Sequence, residues 1–182
     1  DLRGVTIAVQ GLGDVGLPLV EELSDRGATL LVADLDSGKV GGVVERFGAV
    51  PVPPDEITTT ECDVFAPCAL GAVVNARSVF RTPIVAGSAN NVFATPDDAE
   101  RAHHAGITVV PDYIINAGGA LAVTMMGEGV TDRTELMKRV ERIGGRVAEI
   151  LAEASASDVP PVVAAQRRVD RLLAERGSPR YR

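Results

Sequence analysis

Aromatic residues are scarce in this chain: two tyrosines, four phenylalanines and no tryptophan make up 3% of 182 residues. A core must therefore be built from Val, Leu, Ile and Ala. Also missing is any apolar run near the roughly 18 residues that a membrane span needs. The opening DLRGVTIAVQ lacks the basic n-region of a signal peptide, so a cytoplasmic, membrane-free protein is expected. Positive charge is in deficit, with 18 Lys plus Arg against 25 Asp plus Glu and a net charge of −7. No nucleic-acid partner is expected of such a chain, because neutralising phosphates needs a basic face. Only two cysteines occur, Cys62 and Cys68, without a CxxC spacing or a neighbouring histidine. That excludes a disulfide framework and gives no sign of a metal site. His103 and His104 lie apart from every motif and are expected at the surface.

What is present is a length suited to one domain with an appended helical piece, and 46% hydrophobic residues in a patterned order. Short apolar runs alternate with helical patterns through the first 110 residues, as in successive βαβ units. Strands are predicted at Val5 to Gln10, Thr29 to Asp34, Val50 to Val52, Val64 to Ala66, Ile84 to Ala86 and Thr108 to Val110. Between them, Val15, Leu19 and Leu23 recur at helical spacing before Gly27, and Val40, Val44 and Phe47 before Gly48. Further helical segments are predicted near 73–80 and 96–105. The pattern implies an α/β fold: a doubly wound, mainly parallel Rossmann sheet with helices on both faces.

Beyond residue 118 the strand pattern stops. Leu136, Val140, Ile143, Val147, Ile150 and Leu151 form one apolar stripe opposite charged residues, which predicts a long amphipathic helix. Asp132 and Glu135 have the spacing of a capping box at its start, and Pro160 and Pro161 suit the opening of a last helix. Residues 1–130 are read as a dinucleotide-binding domain and 131–182 as C-terminal helices packing on or beyond it.

The strongest motif is VQGLGDVG, in which Gly11, Gly13 and Gly16 keep the G-x-G-x-x-G spacing directly after the first strand. Gly11 permits a tight turn, Gly13 lets the backbone approach a pyrophosphate, and Gly16 lets helix and strand pack closely. The helix beyond offers free N–H groups and a positive dipole end to an anion. Leu12, Asp14 and Val15 share this loop. Asp14 is unfavourable to a bound anion and is expected to point to solvent or a neighbouring loop. Asp34 ends the second strand, where the dinucleotide fingerprint places an acid on the ribose hydroxyls. With Asp36 it would repel a 2′-phosphate, so NAD is preferred over NADP. The simpler alternative is that Asp34 caps the following helix.

Four ordered segments, VQGLGDVG, DVFAPCALGAVVN, IVAGSANNVF and VVPDYIINAGGALAV, closely resemble the cofactor-binding domain of the glutamate/leucine/phenylalanine/valine dehydrogenases, and most of all its leucine and phenylalanine members. The resemblance covers about residues 1–175. It implies NAD-dependent, reversible oxidative deamination of an L-amino acid to its 2-oxo acid and ammonia. It also implies that Gly11 to Gly16 hold the pyrophosphate and that Asp34 and Leu35 hold the adenosine ribose. Cys68, Ala69 and Leu70 would lie along the cofactor, and Ser88, Ala89 and Asn90 would border the nicotinamide ribose. Asn90 would also reach the substrate, Asn116 would orient the cofactor's carboxamide or the substrate from the end of a strand, and Ala120 and Val123 would face the substrate side chain. Asn90 and Asn91 also suit an Asx turn, and Cys68 suits a buried small hydrophobe.

Family members use a lysine and an aspartate of a separate N-terminal domain as acid–base groups. Lys39 and Lys138 fall in predicted exposed helices outside the motifs, so no catalytic residue is expected in this chain. A missing N-terminal substrate domain, and a homo-oligomer in the full-length protein, follow from the resemblance. Small residues at Ala120 and Val123, and no nearby cation, favour an apolar amino acid. An NAD-binding regulatory domain without chemistry is the alternative.

Overall fold

The computed structural model describes residues 1–176; the end of the predicted C-terminal segment, 177–182, lies outside them. Its centre is a six-stranded sheet of β1 (Thr6–Gln10), β2 (Thr29–Ala33), β3 (Val50–Pro51), β4 (Val64–Pro67), β5 (Ile84–Val85) and β6 (Thr108–Val109). All pairings are parallel, in the order β3-β2-β1-β4-β5-β6. Chain order reverses direction between β1 and β4, and at such a switch point ligands bind beyond the strands' carboxyl ends.

Both faces of the sheet are buried, as an all-parallel sheet requires. Ile7 and Val9 of β1 and Leu30 and Val32 of β2 pack with Val20 of α1 (Gly16–Asp25) and Val43 of α2 (Ser37–Phe47). Ala8, Ala33 and Phe65 point the other way, towards Ile57 and Ala102 of α3 (Asp97–His104). The period-two alternation of a strand produces this split, since Ile7 and Ala8 are neighbours in sequence and belong to opposite layers. With few aromatic rings available, small and branched side chains fill both layers. Phe65 is the one fully buried ring among the described residues, and it packs on Phe80 at 5.6 Å between centroids.

Helix ends follow local chemistry. Asp36 caps α2 by accepting from the N–H groups of Gly38 and Lys39, and Gly48 closes it in the left-handed region at φ 66°. Gly27, at φ 86°, follows the end of α1. The helix expected near 73–80 is not formed. Asn75 and Ser78 satisfy the backbone themselves: Ser78 Oγ donates to the Val73 carbonyl at 2.5 Å and accepts from Asn75 N–H at 2.9 Å. The Asn75 amide donates to the Ala72 carbonyl at 3.0 Å. Such local side-chain bonds compete with a helical ladder, and Val74 instead pairs as a single parallel bridge with Phe93.

After β6 come a one-turn helix α4 (Asp112–Ile115), α5 (Gly118–Gly127), the 25-residue α6 (Arg133–Ser157) and α7 (Pro161–Arg176). α6 packs against α4, α5 and α7, and in its second half Ile150 and Ala154 meet Ala164 and Ala165, with Ile114 of α4 packed beside them. The capping box forms only by half. Asp132 accepts from Thr134 N–H at 2.8 Å, whereas Glu135 turns to Arg139 one helical turn on. His104 is exposed, but His103 is half-buried, its Nε2 3.2 Å from Asp158 Oδ1. Among the described residues no helix is long and apolar enough to cross a membrane.

Candidate functional site

The loops that follow β1, β4 and β5 meet at the carboxyl edge of the sheet, and glycines set how closely. Gly11 turns at φ 95°, and a Cβ there would stand 2.7 Å from the Cβ of Ala69. At Gly16 a Cβ would be 1.9 Å from the Gly11 carbonyl oxygen. Gly13 differs, because a Cβ would meet nothing within 4 Å. Packing within the chain explains Gly11 and Gly16, while the space at Gly13 is left open. Nothing in the first turn of α1 competes for an anion, since that turn has neither an acidic residue nor a side-chain cap. The main-chain N–H groups of Gly13, Asp14, Val15 and Gly16 make no hydrogen bond within the described residues. Free amides at a helix N-terminus beside an unfilled volume suit a phosphate group. Asp14 and Val15 are exposed, whereas the Leu12 side chain is buried in the core between sheet and α1.

Asp34 ties the glycine loop to the end of β2. One carboxylate oxygen accepts from Leu12 N–H at 2.6 Å and the other from Asp36 N–H at 2.9 Å. These amides, Asp36 first, hold its carboxyl below the usual carboxylate range, outweighing the opposing effect of burial. Each oxygen retains a second lone pair, so the ribose role remains open to it. Helix capping is not its role; Asp36 caps α2. The charge of Asp36 is thus engaged at that N-terminus, and Lys39 lies close enough to act electrostatically on Asp34.

The β4 loop runs against the β5 loop. A Cβ at Gly71 would sit 2.4 Å from the Asn90 carbonyl oxygen, and one at Gly87 would sit 2.2 Å from that of Pro67. Ala72 and Asn91 both adopt positive φ, 58° and 53°, and are joined by Ala72 N–H donating to the Asn91 carbonyl at 2.7 Å. Two non-glycine residues in this region, paired across adjoining loops, mark stored backbone strain of the kind found at ligand sites. A cleft of ≈500 Å³ opens beside them, lined by Gln10, Thr58, Leu70, Gly71, Asn75 and Ser78.

Asn116 is the residue that joins distant segments. It follows α4 rather than ending a strand, because Pro111 starts a helical turn directly after β6. Its side-chain nitrogen donates to the Ser88 carbonyl at 3.4 Å and to Asn90 Oδ1 at 2.7 Å. A main-chain carbonyl can only accept, which fixes the amide orientation of Asn116 and therefore that of Asn90. Two groups stay unengaged within the described residues: the acceptor Asn116 Oδ1 and the donor Asn90 Nδ2. Together they complement a carboxamide, or an ammonium beside a carboxylate.

Other residues are placed less closely. Leu35, Leu70 and Val123 are open to solvent at 91%, 81% and 72% exposure. Ala120 and Val123 lie one turn apart on α5, and no described contact ties them to Asn90 or Asn116. Ala89 is buried, its N–H donating to the Pro67 carbonyl at 2.9 Å. Cys68 is half-buried against the α1 layer, and burial pushes the Cys62 thiol up. Sequence reasoning missed Gly71, Gly87 and Asp112. A glycine four residues past the end of β4 and another two past β5 were their available signal, and for Asp112 the Pro-Asp step.

A parallel sheet in this order, with a glycine loop at the switch between β1 and β4, defines a Rossmann-type nucleotide-binding α/β domain. Residues 36–166 match the family described as Glutamate/Leucine/Phenylalanine/Valine dehydrogenase, and the chain belongs to that family. It is 39% identical over 174 residues to leucine dehydrogenase of Geobacillus stearothermophilus, covering 94% of this chain and 47% of that protein. It is 33% identical over 184 residues to phenylalanine dehydrogenase of Bacillus thermotolerans, covering 97% and 48%. The crystal structure of L-tryptophan dehydrogenase from Nostoc punctiforme superposes with a TM-score of 0.88 at 37% identity, over 91% of this chain and 50% of that one. The chain spans about half the length of the curated relatives it matches.

Proposed function

We propose that this chain is the NAD-binding half of an enzyme that reversibly deaminates an apolar L-amino acid to its 2-oxo acid and ammonia. The observation that carries the reading is the Asn116–Asn90–Ser88 cluster standing at the same sheet edge as the open glycine loop. When bound, NAD supplies the hydride acceptor. The N–H groups from Gly13 to Gly16 hold its pyrophosphate, and Asp34 and Leu35 its adenosine ribose. Cys68, Ala69 and Leu70 flank its path. Ser88 and Ala89 border the nicotinamide ribose. Asn116 Oδ1 accepts from, and Asn90 Nδ2 donates to, the carboxamide or the amino acid. Ala120 and Val123 face the substrate side chain, and their small apolar character favours an uncharged one; in such a pocket one methylene is worth about 1–3 kcal/mol.

Lys39 and Lys138 lie on α2 and α6. The first is a neighbour of Asp34 at the adenosine end. The proton acceptor for the amine then belongs to a part of the protein outside this chain, as does the rest of the substrate pocket. Names of leucine, phenylalanine and tryptophan dehydrogenases among the relatives support an apolar substrate. The test is NADH formation by the full-length protein with leucine, valine, phenylalanine and glutamate, repeated with Asn116→Ala. Turnover of leucine, valine or phenylalanine, with kcat/KM lowered at least about tenfold by the substitution, is expected. Preference for glutamate would overturn the substrate assignment, and an unaltered kcat/KM would remove Asn116 from the site. Tight NAD binding without turnover of any amino acid would instead favour a regulatory domain.

A further inference from the structure

We infer that Asp112 is the positioning residue of this site, the group that sets Asn90 against Asn116; the inference rests on the dehydrogenase reading above. Asp112 opens the one-turn helix α4 and accepts hydrogen bonds at its main chain and at its side chain. Its main-chain carbonyl accepts from Asn116 N–H at 2.9 Å. Its carboxylate oxygen accepts from Asn91 N–H at 2.5 Å, across 21 residues of sequence. One residue thus holds the backbone of Asn116 and the backbone next to Asn90. Between those two held points lies the 2.7 Å bond from Asn116 Nδ2 to Asn90 Oδ1.

The carboxylate bond acts where the loop is under strain. Asn91 sits at φ 53°, in the left-handed region that most L-residues avoid. An ionised acceptor makes one of the stronger hydrogen bonds available to a backbone N–H. Removing it leaves that N–H without its partner and frees the 88–91 loop to relax. Asn90 then moves off Asn116, and the acceptor–donor pair offered to the ligand loses its spacing. Asp112 need not touch substrate or cofactor for this. Reacting groups displaced by about 1 Å cost up to 10²-fold in rate, so the effect belongs in kcat rather than in cofactor affinity.

The experiment compares wild type, Asp112→Ala and Asp112→Asn in the full-length protein. It measures NADH dissociation constants by fluorescence, steady-state kcat and KM with leucine, valine and phenylalanine, and thermal midpoints. Asn keeps an oxygen acceptor for the Asn91 N–H; Ala does not. The expected result is a kcat lowered about ten- to a hundredfold in Asp112→Ala, with the NADH dissociation constant within about twofold of wild type, and most of the lost kcat recovered in Asp112→Asn. An Asp112→Ala enzyme with wild-type kcat overturns the inference, as does an equal loss in both variants that follows the fall in thermal midpoint. Wild-type protein that forms no NADH with these amino acids overturns the dehydrogenase reading and the inference together. Active wild type beside an unaltered Asp112→Ala overturns the inference alone.

Discussion

Replacing Gly16 with alanine would put a Cβ 1.9 Å from the Gly11 carbonyl oxygen, more than an ångström inside the 3.0 Å below which such contacts essentially never occur. The obstacle is backbone, and it is itself fixed, since Gly11 N–H donates to the Ala33 carbonyl at 2.7 Å. Neither rotamer change nor side-chain adjustment relieves the clash. The loop or α1 must shift, at about 3 kcal/mol or more, the upper range for overpacking. For a chain of this size that lowers the melting temperature by about 6–12 °C. Gly13→Ala is the paired perturbation. With nothing within 4 Å of its Cβ and no positive φ, it should leave stability within about 0.5 kcal/mol. Yet the new methyl group would fill the space beside the free N–H groups and lower NADH affinity at least about tenfold, or 1.4 kcal/mol. Thermal denaturation and fluorescence titration of both variants separate the glycine that serves the fold from the one that serves the ligand. Wild-type NADH affinity in Gly13→Ala would refute the assignment of this loop to the pyrophosphate. An unchanged melting temperature in Gly16→Ala would refute the packing argument.

Two further outcomes are expected. Asp34→Asn keeps one acceptor but points an amide at either Leu12 N–H or Asp36 N–H, and should cost about 1–2 kcal/mol near neutral pH. Because its carboxyl lies below the ordinary range in the fold, that stabilisation is present above the ordinary value and disappears as pH falls through the lower folded one. The gap between variant and wild type in urea denaturation should therefore close below about pH 4; a gap constant with pH would contradict this. Ile150→Ala removes a 3% exposed side chain from the cluster between α6 and α7. The cost should be about 2 kcal/mol, the low end for such truncations, because so small a cluster can partly collapse. A midpoint unmoved in urea would show that α7 does not depend on that contact.

Six strands, their approximate limits and the helices α1, α2, α3, α6 and α7 were legible along the chain, because each is announced by neighbours in sequence. Ile7, Ala8 and Val9 alternate, Val40, Val44 and Phe47 repeat at helical spacing, and Gly27 and Gly48 terminate. Where local bonding favoured something else the expectation failed. Asn75 and Ser78 turned a predicted helix into a looped bridge, and Glu135 chose Arg139 over the cap of α6. The site was legible in its residue types but not in its bonds. Asn90 and Asn116 were selected through their motifs, while nothing nearby in sequence says that they touch, or that Asp112 reaches Asn91.

By itself, then, the sequence determined the layered α/β architecture, the glycine turn after β1 and the acid after β2, all of which follow from short-range periodicity and backbone sterics. Only the tertiary structure decided which glycine is packed and which faces open space, and that Asp34 reaches back to the Leu12 N–H. It also decided that Asn116, Asn90 and Ser88 form one cluster. Such contacts join segments 20 to 30 residues apart, and their geometry is set by the parallel register of the sheet, which brings the carboxyl ends of separate strands to one edge.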